Sequence, residues 1–577
     1  MENENGMLEL GFEPFVTLPA TAPDQPIARI QEVVPVPGTA DTLAVLDTRG
    51  VVWLVEGGVV QPGPFIDLSE GALGFVEPGP ESGLRSIAFH PGYADPASAG
   101  FGKVYLAFSA SPESAPPGTR LFQSGEGALF HDVVAELSTA GPASSIADLE
   151  GARELLRIEQ PFTNHNIGQL LFEPGLAPGD PGYGLLFIGV GDGGGGNDPL
   201  EAAGDLAEIY GKVLRIDPLG GPPYGVPADN PFIGVEGALG EVWAFGFRNP
   251  QQLAFDQTRL FTGDIGQDAR EEIDVVLPGR HYGWDEREGT LITGEGSPNR
   301  GPAQGTSPEF EFPVAEYDHS DITAGNAAIA GGPVYRGDAI PDASDTLIFA
   351  NFPTGELFYL PISTVDAALA DGQVRAEETA TPRLIQLVDD DGAATSFAEV
   401  SGNASGRVDL RLALDGAGDL LAFSKQSGTI FRLTAPPDAF GRGLTDEEAE
   451  EIVLLYEAAF DRDGAIDLSG LNFWIDVREA GVDIRLIAEA FLASAEFGLR
   501  AGGPLDDGAF VTLLYDHALE RAPDTPGFAF WTEVLARPGV ERVDLLLAFA
   551  DAATHEPPLA YVATLEESAP GFWDFTG

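Results

Sequence analysis

Only seven histidines occur in this 577-residue chain, and one of them, His165, stands in the loop sequence NHNIG just ahead of the apolar run QLLF. Imidazole has an unperturbed pKa of about 6.5, so a histidine held there can accept a proton near neutral pH. A loop histidine can also be a surface or structural residue. Arg248 and Asn249 lie in FGFRNPQ, a setting in which an arginine commonly holds a turn through loop carbonyls. GDIGQDAREEID brings Asp264, Glu271, Glu272 and Asp274 close together, either as hard oxygen ligands or as an acidic solvated loop. Glu81 precedes SGLRSIAFHPGY, and Asp192 falls in GVGDGGGGNDP. The glycine run there is not a phosphate loop, because no Lys followed by Ser or Thr stands at the required offset, and it lacks the nonapeptides of a calcium β-roll. It reads as a turn between strands.

These residues need a scaffold, and the chain supplies one in ordered pieces. Between Asn164 and Trp284 the motifs TNHNIGQLLF, LLFIGVGDGG, YGKVLRID, EVWAFGFRNPQQLAF, GDIGQDAREEIDVV and HYGW follow one another. Most join an apolar strand-like run to a polar or glycine residue at its end. Similar β-rich runs occur near residues 42, 102, 183, 241, 345 and 418. Several read as two strands around a turn, the inner hairpin of a propeller blade, and six such units predict six blades. The spacing between units varies, so periodicity alone favours a propeller over a sandwich only modestly.

The order and wording of these motifs resemble the soluble quinoprotein sugar dehydrogenases, the glucose and sorbosone dehydrogenase family, and its hedgehog-interacting-protein-like branch. The resemblance covers roughly residues 25–435 and implies an all-β six-bladed propeller with the site at one end of a central channel. It implies that His165, with Gly168 in the matching place, is the general base for a sugar C1 hydroxyl. Asn164 then occupies the place of an acidic residue that orients the base, and Asn164, Glu81 and Asp192 fall on the substrate side. Arg248 and Asn249 would face a pyrroloquinoline quinone (PQQ), where a fixed guanidinium stabilises negative charge. Backbone carbonyls of Gly266 and Gln267 would hold calcium, a Lewis acid at the quinone. Quinone carboxylates are held in this family by a lysine and an arginine pair. Arg407 and Arg411 in GRVDLRLALDG offer the pair, but Pro353 stands where the lysine is expected, and the chain has three lysines in all, Lys103, Lys212 and Lys425. The family leucine at position 85 is replaced by an unexplained arginine.

Composition changes after residue 435. From Thr445 the sequence turns rich in Ala, Leu and Glu at helical spacing, with Thr445 and Glu448 forming a capping box. The expected divisions are an extension over 1–24, the propeller over 25–435, a linker over 436–444, an all-α domain over 445–568 and a tail over 569–577. The helical part repeats internally, pairing Tyr456 with Tyr515, Arg462 with Arg521, Gly470 with Gly527 and Trp474 with Trp531. It resembles a domain of unknown function related in pattern to phycobilisome linkers, and its Tyr and Trp positions read as helix-packing core.

Asp plus Glu number 91 against 30 Lys plus Arg, a formal net charge of -61, whose field repels nucleic acid and anionic lipid. Such a surplus suits a solvated surface in high salt or secretion, or calcium loading outside the cell. Without cysteine there is no disulfide or thiolate site, so stability rests on packing, with calcium as a candidate aid. The N-terminal residues lack the basic and apolar regions of a signal peptide, and no apolar run is long enough to cross a bilayer. The expectation is an extracellular protein exported without such a signal. Two functions follow. One is an aldose dehydrogenase with a sugar substrate and an electron acceptor left open. The other is a non-catalytic propeller that binds carbohydrate or protein, with an extracellular or cell-surface partner reached through the helical domain in either case.

Overall fold

The turn over residues 47–50 shows how the β-rich runs organise. Thr42–Asp47 and Val51–Glu56 pair antiparallel, Leu43 opposite Val55 and Val45 opposite Trp53. Gly50 closes the turn at φ 95°, a conformation that costs glycine little, with its amide on the Asp47 carbonyl at 3.0 Å. In this computed structural model the described residues are 7–24, 26–79, 81–293, 310–322, 327–389, 392–403, 407–436, 446–460, 468–479, 482–503, 505–519, 521–537, 539–553, 565–569 and 572–575. The chain forms two compact units, Met1–Ala435 and Pro436–Gly577.

The first unit is a propeller-like β fold. Four of its sheets are built on antiparallel meanders taken in chain order: Ile30–Pro35 through Val51–Glu56, Leu84–Phe89 through Asp148–Gln160, Ile167–Phe172 through Val242–Phe245, and Pro250–Asp256 through Ala315–Asp318. The last is a ten-stranded sheet that contains Thr346–Asn351, Leu357–Pro361, Leu420–Ser424 and Thr429–Thr434. The strands that open successive sheets pack side by side, and Leu410–Leu414 returns to Ile30–Pro35, so the array closes. Apolar side chains between neighbouring sheets form the core, as with Leu170, Ile188 and Leu214 against Tyr105 and Leu156.

Two sequence expectations change here. Residues expected as an extension contain the strand Leu8–Thr17, which pairs antiparallel with Thr429–Thr434 and parallel with Arg383–Val388. The start of the chain thus completes a sheet begun near its end, which removes an exposed edge. EVWAFGFRNPQQLAF is not a hairpin. Val242–Phe245 ends one sheet and Pro250–Asp256 begins the next, so Arg248 and Asn249 sit on the connection between sheets.

In the second unit, helices Asp446–Phe460, Leu468–Glu479, Ile484–Ala493, Asp507–Leu519, Thr525–Leu535 and Arg542–Ala553 surround an apolar core. The sequence repeat recurs as packing. Tyr456 and Trp474 flank Phe491 at 4.9 and 5.1 Å between ring centroids, and Tyr515 and Trp531 flank Phe549 at 5.1 Å each. Gly527 has no room for a side chain, because a Cβ would stand 2.2 Å from the Tyr515 hydroxyl. Arg462 and the Thr445 cap lie outside the described residues. The expected all-α domain and tail differ at the C-terminus, where Leu565–Ala569 and Phe572–Phe575 form a small antiparallel sheet.

Candidate active site

His165 precedes the strand Ile167–Phe172 with φ 57°, a left-handed conformation that a non-glycine residue holds only when its surroundings fix it. They do so at three points. The His165 amide donates to Glu81 Oε2 at 2.9 Å, Nδ1 lies 2.6 Å from Asp192 Oδ1, and the side chain is almost wholly buried. A carboxylate only accepts, so Nδ1 carries a proton and points it at Asp192. Asp192 is held in turn by Trp284 Nε1 at 2.9 Å and the Gly194 amide at 2.9 Å. Burial alone would raise the Asp192 pKa. The charges of His165 and Arg248 and the hydrogen bonds from His165 and the Gly194 amide outweigh burial and hold it below the ordinary aspartate value.

Asp192 therefore orients the imidazole. Asn164 does not take that place, since its side-chain oxygen faces the Gly195 amide at 3.4 Å. Close glycines make the geometry possible: a Cβ on Gly191 would stand 2.4 Å from the His165 carbonyl oxygen, and one on Gly168 would stand 2.6 Å from the Gln251 carbonyl oxygen. The motif match at Gly168 thus has a packing cause, the close approach of the next sheet.

His165 opens on a cavity of about 840 Å³ also lined by Glu81, Arg248, Asn249, Gln251 and Arg411. Asp264 accepts from the amides of Arg248 and Asn249 at 2.8 and 2.6 Å, which fixes the connection between sheets. Arg248 Nη1 donates to the carbonyls of Ile265 and Gly266 at 2.8 and 2.7 Å, while its buried Nε has no partner. Glu81 accepts from Gln251 Nε2 at 2.7 Å. Burial would raise the Glu81 pKa, but His165, Arg85 and Lys425 hold it below the usual glutamate value.

The loop expected to bind calcium is held by other means. Glu288 Oε1 accepts from the amides of Gln267, Asp268, Ala269 and Arg270 at 2.7 to 3.1 Å. The Gln267 side chain makes reciprocal bonds with Asn197 and does not line the cavity. A cation on the Gly266 carbonyl would face the Arg248 guanidinium at hydrogen-bond range, so that carbonyl does not fit calcium while Arg248 holds it. Asp264, Glu271, Glu272 and Asp274 do not form a solvated loop, because all four are buried.

The far wall of the cavity carries Arg407, Arg411 and Lys425 around the Phe352 ring, their charged groups 5.3, 5.0 and 5.8 Å from its centroid. Arg411 Nη2 donates to Gln251 Oε1 at 3.1 Å and its buried Nε is unpartnered. Arg85, unexplained in the sequence, is buried behind this wall, with Nη2 unpartnered. Arg407, Arg411 and Lys425 thus give the cavity a cationic wall beside an aromatic ring, a setting that fits the planar polycarboxylate PQQ.

A family model described as Glucose / Sorbosone dehydrogenase matches residues 69–399. The chain belongs to this family. A second model, a domain of unknown function (DUF4214), matches residues 488–555. Among curated relatives, the HIPL1 protein of Arabidopsis thaliana is 29% identical over 389 residues, which is 57% of this chain and 53% of that protein. Human Hedgehog-interacting protein is 29% identical over 223 residues, 37% of this chain and 28% of that protein. This family member thus spans about half the length, or less, of these relatives. The solved apo structure of the soluble aldose sugar dehydrogenase from Escherichia coli superposes with a TM-score of 0.50 at 18% identity, covering 74% of this chain and 99% of that one, a likeness of fold.

The sequence had marked His165, Asp192, Arg248, Asn249, Glu81, Arg407 and Arg411, and all seven meet at or beside this cavity. It missed Trp284, Gln251, Glu288 and Lys425. Trp284 ends the motif HYGW, and Lys425 is one of only three lysines in the chain. Gln251 and Glu288 gave no comparable signal.

Proposed function

We propose that the chain is a PQQ-dependent aldose dehydrogenase, built as six blades with the ten-stranded sheet counted as two blades joined through Leu8–Thr17. The observation that carries this reading is the chain Trp284, Asp192, His165 ending at a cavity whose opposite wall is cationic. His165 Nε2 takes the proton of a sugar C1 hydroxyl. Asp192 keeps the proton on Nδ1 and stabilises the imidazolium that results, as an orienting carboxylate does in other base-assisted enzymes. Arg248, Asn249, Arg407 and Arg411 hold the cofactor and orient it. Bound PQQ supplies the hydride acceptor. Glu81, beside the base, is placed to contact the sugar. No step in this reading uses calcium, since the Gly266 carbonyl is already engaged.

The test is addition of PQQ to the purified chain, followed by aldoses. The expected result is a bound-quinone spectrum that aldose bleaches. A second reading, a propeller that binds a protein or carbohydrate without redox chemistry, draws on the likeness to Hedgehog-interacting protein. It takes over if quinone does not bind or if no aldose changes its spectrum. An extracellular location belongs to both readings, and recovery of the chain only from cytoplasm would remove it.

A further inference from the structure

Only 30 of 577 residues are basic, yet four of them, Arg85, Arg407, Arg411 and Lys425, gather at one wall of a single cavity and directly behind it. Three of these are buried, with Lys425 only 7% exposed. The nearby carboxylates are held by groups other than Lys425. Asp409 is bound by Arg407 Nε and by Gln426 Nε2, and Glu81 by the His165 amide and Gln251. Among the described residues no carboxylate stands within ion-pair distance of Lys425 Nζ.

A buried ammonium without a carboxylate in contact is costly, and here repulsion from Arg85 and Arg411 adds to desolvation, which the attraction of Asp409 and Glu81 offsets only in part. Desolvation comes first among the causes that push the Lys425 pKa well down, followed by those two guanidinium charges. Such a group persists where a ligand completes it. The neighbouring hairpin explains why it is needed. Pro353 follows Phe352 in the turn between Thr346–Asn351 and Leu357–Pro361 and brings no charge to the cavity. Lys425 follows the strand Leu420–Ser424 of a different hairpin and reaches the same Phe352 ring.

We infer that Lys425 is the anchoring cation for a cofactor carboxylate, supplied from the Leu420–Ser424 hairpin in place of the lysine that Pro353 displaces. This rests on the PQQ reading and adds to it a residue that the family pattern does not provide.

The test is titration of the full-length apo chain with PQQ, followed by tryptophan fluorescence and calorimetry, for wild type, Lys425→Met and Lys425→Arg. The expected result is a Kd raised about tenfold or more in Lys425→Met and largely recovered in Lys425→Arg. The apo Lys425→Met chain should melt no lower than wild type, since it loses an unpaired buried charge. Equal PQQ affinity in folded Lys425→Met and wild type overturns the inference while leaving the functional reading intact. If wild type binds no PQQ, the functional reading falls. The same series with benzene-1,3,5-tricarboxylate then decides the anchor, and equal affinity or no binding overturns it. Should Lys425→Met fail to fold, Lys425→Gln takes its place under the same criteria.

Discussion

The two ends of the cavity follow opposite plans. At the base end the groups that orient the imidazole are partnered within the protein: Trp284 holds Asp192, Asp192 holds His165 Nδ1, and Glu81 holds the His165 amide. At the anchor end the cations outnumber the free carboxylates, and Arg411 Nε and Arg85 Nη2 are buried without partners. A base must be aimed before substrate arrives, because a misplaced imidazole loses most of its catalytic advantage. An anchor can remain incomplete until its ligand arrives, at a cost in the stability of the empty protein. Substitutions at the base end should therefore alter turnover, and substitutions at the anchor end should alter affinity.

The largest effect belongs to His165→Ala. Turnover with a bleaching aldose should fall about 10² or more while the PQQ Kd, measured by titration, moves less than about threefold. A parallel loss of affinity would erase the contrast between the ends. Asp192→Asn comes next. The amide can donate to His165 Nδ1 and so favour the wrong tautomer, and turnover should fall by at least about tenfold with affinity unchanged. Asn164→Ala serves as its control, because Asn164 does not touch the imidazole, and steady-state rates should stay within about twofold.

Arg248 stands between the two plans, since one nitrogen clasps the 265–266 carbonyls and another has no partner. Arg248→Ala should weaken PQQ about tenfold and slow turnover by a similar factor, in the same titration and rate assays. If only one of the two quantities moved, Arg248 would belong to that end alone.

How much of this was legible in the sequence follows the same division. His165, Arg248 and Asn249 lie in unbroken motifs beside strand-like runs, so local wording found them. The orienting partner was misassigned to Asn164, its chain neighbour, because the true partner Asp192 comes from the end of the following strand and meets His165 only through antiparallel pairing of Ile167 with Val190. Lys425 was harder still, since its role depends on two hairpins of the ten-stranded sheet meeting at Phe352. The acidic loop was open for a related reason. Along the chain its charges read either as oxygen ligands or as a solvated loop, and pairing of Arg270–Val275 between two strands buries Glu272 and Asp274. Blade hairpins with short turns were readable, whereas the strand Leu8–Thr17 was not, because its partners lie more than 350 residues away.

A smaller effect concerns Glu32, which lies behind the anchor wall and accepts from the Ile87 amide at 2.8 Å. Burial pushes its pKa up to about 7, against the pull of that amide, Ser86 and Arg411. The sign follows from linkage. The folded state keeps a proton that the unfolded chain releases, so stability from this group is full below about pH 4.5 and is lost as pH rises through about 7. Glu32→Gln imitates the protonated form. It should melt like wild type at pH 4.5 and above it at pH 8, by a difference on the order of 1–3 kcal/mol in unfolding free energy. A melting curve displaced equally at both pH values would mean that Glu32 titrates as an ordinary surface glutamate.

The smallest expected effect comes from removing residues 436–577. The β unit keeps its core between its own sheets, the helical unit has a separate aromatic core around Phe491 and Phe549, and the residues lining the cavity all belong to the first unit. A fragment ending at residue 435 should therefore unfold cooperatively and bind PQQ within about twofold of the full chain. Both ends of the cavity should keep their separate responses, with His165→Ala altering turnover and Lys425→Met altering affinity in the fragment as in the whole. A fragment that is insoluble, or whose PQQ affinity drops tenfold, would show that the helical unit contributes to the site.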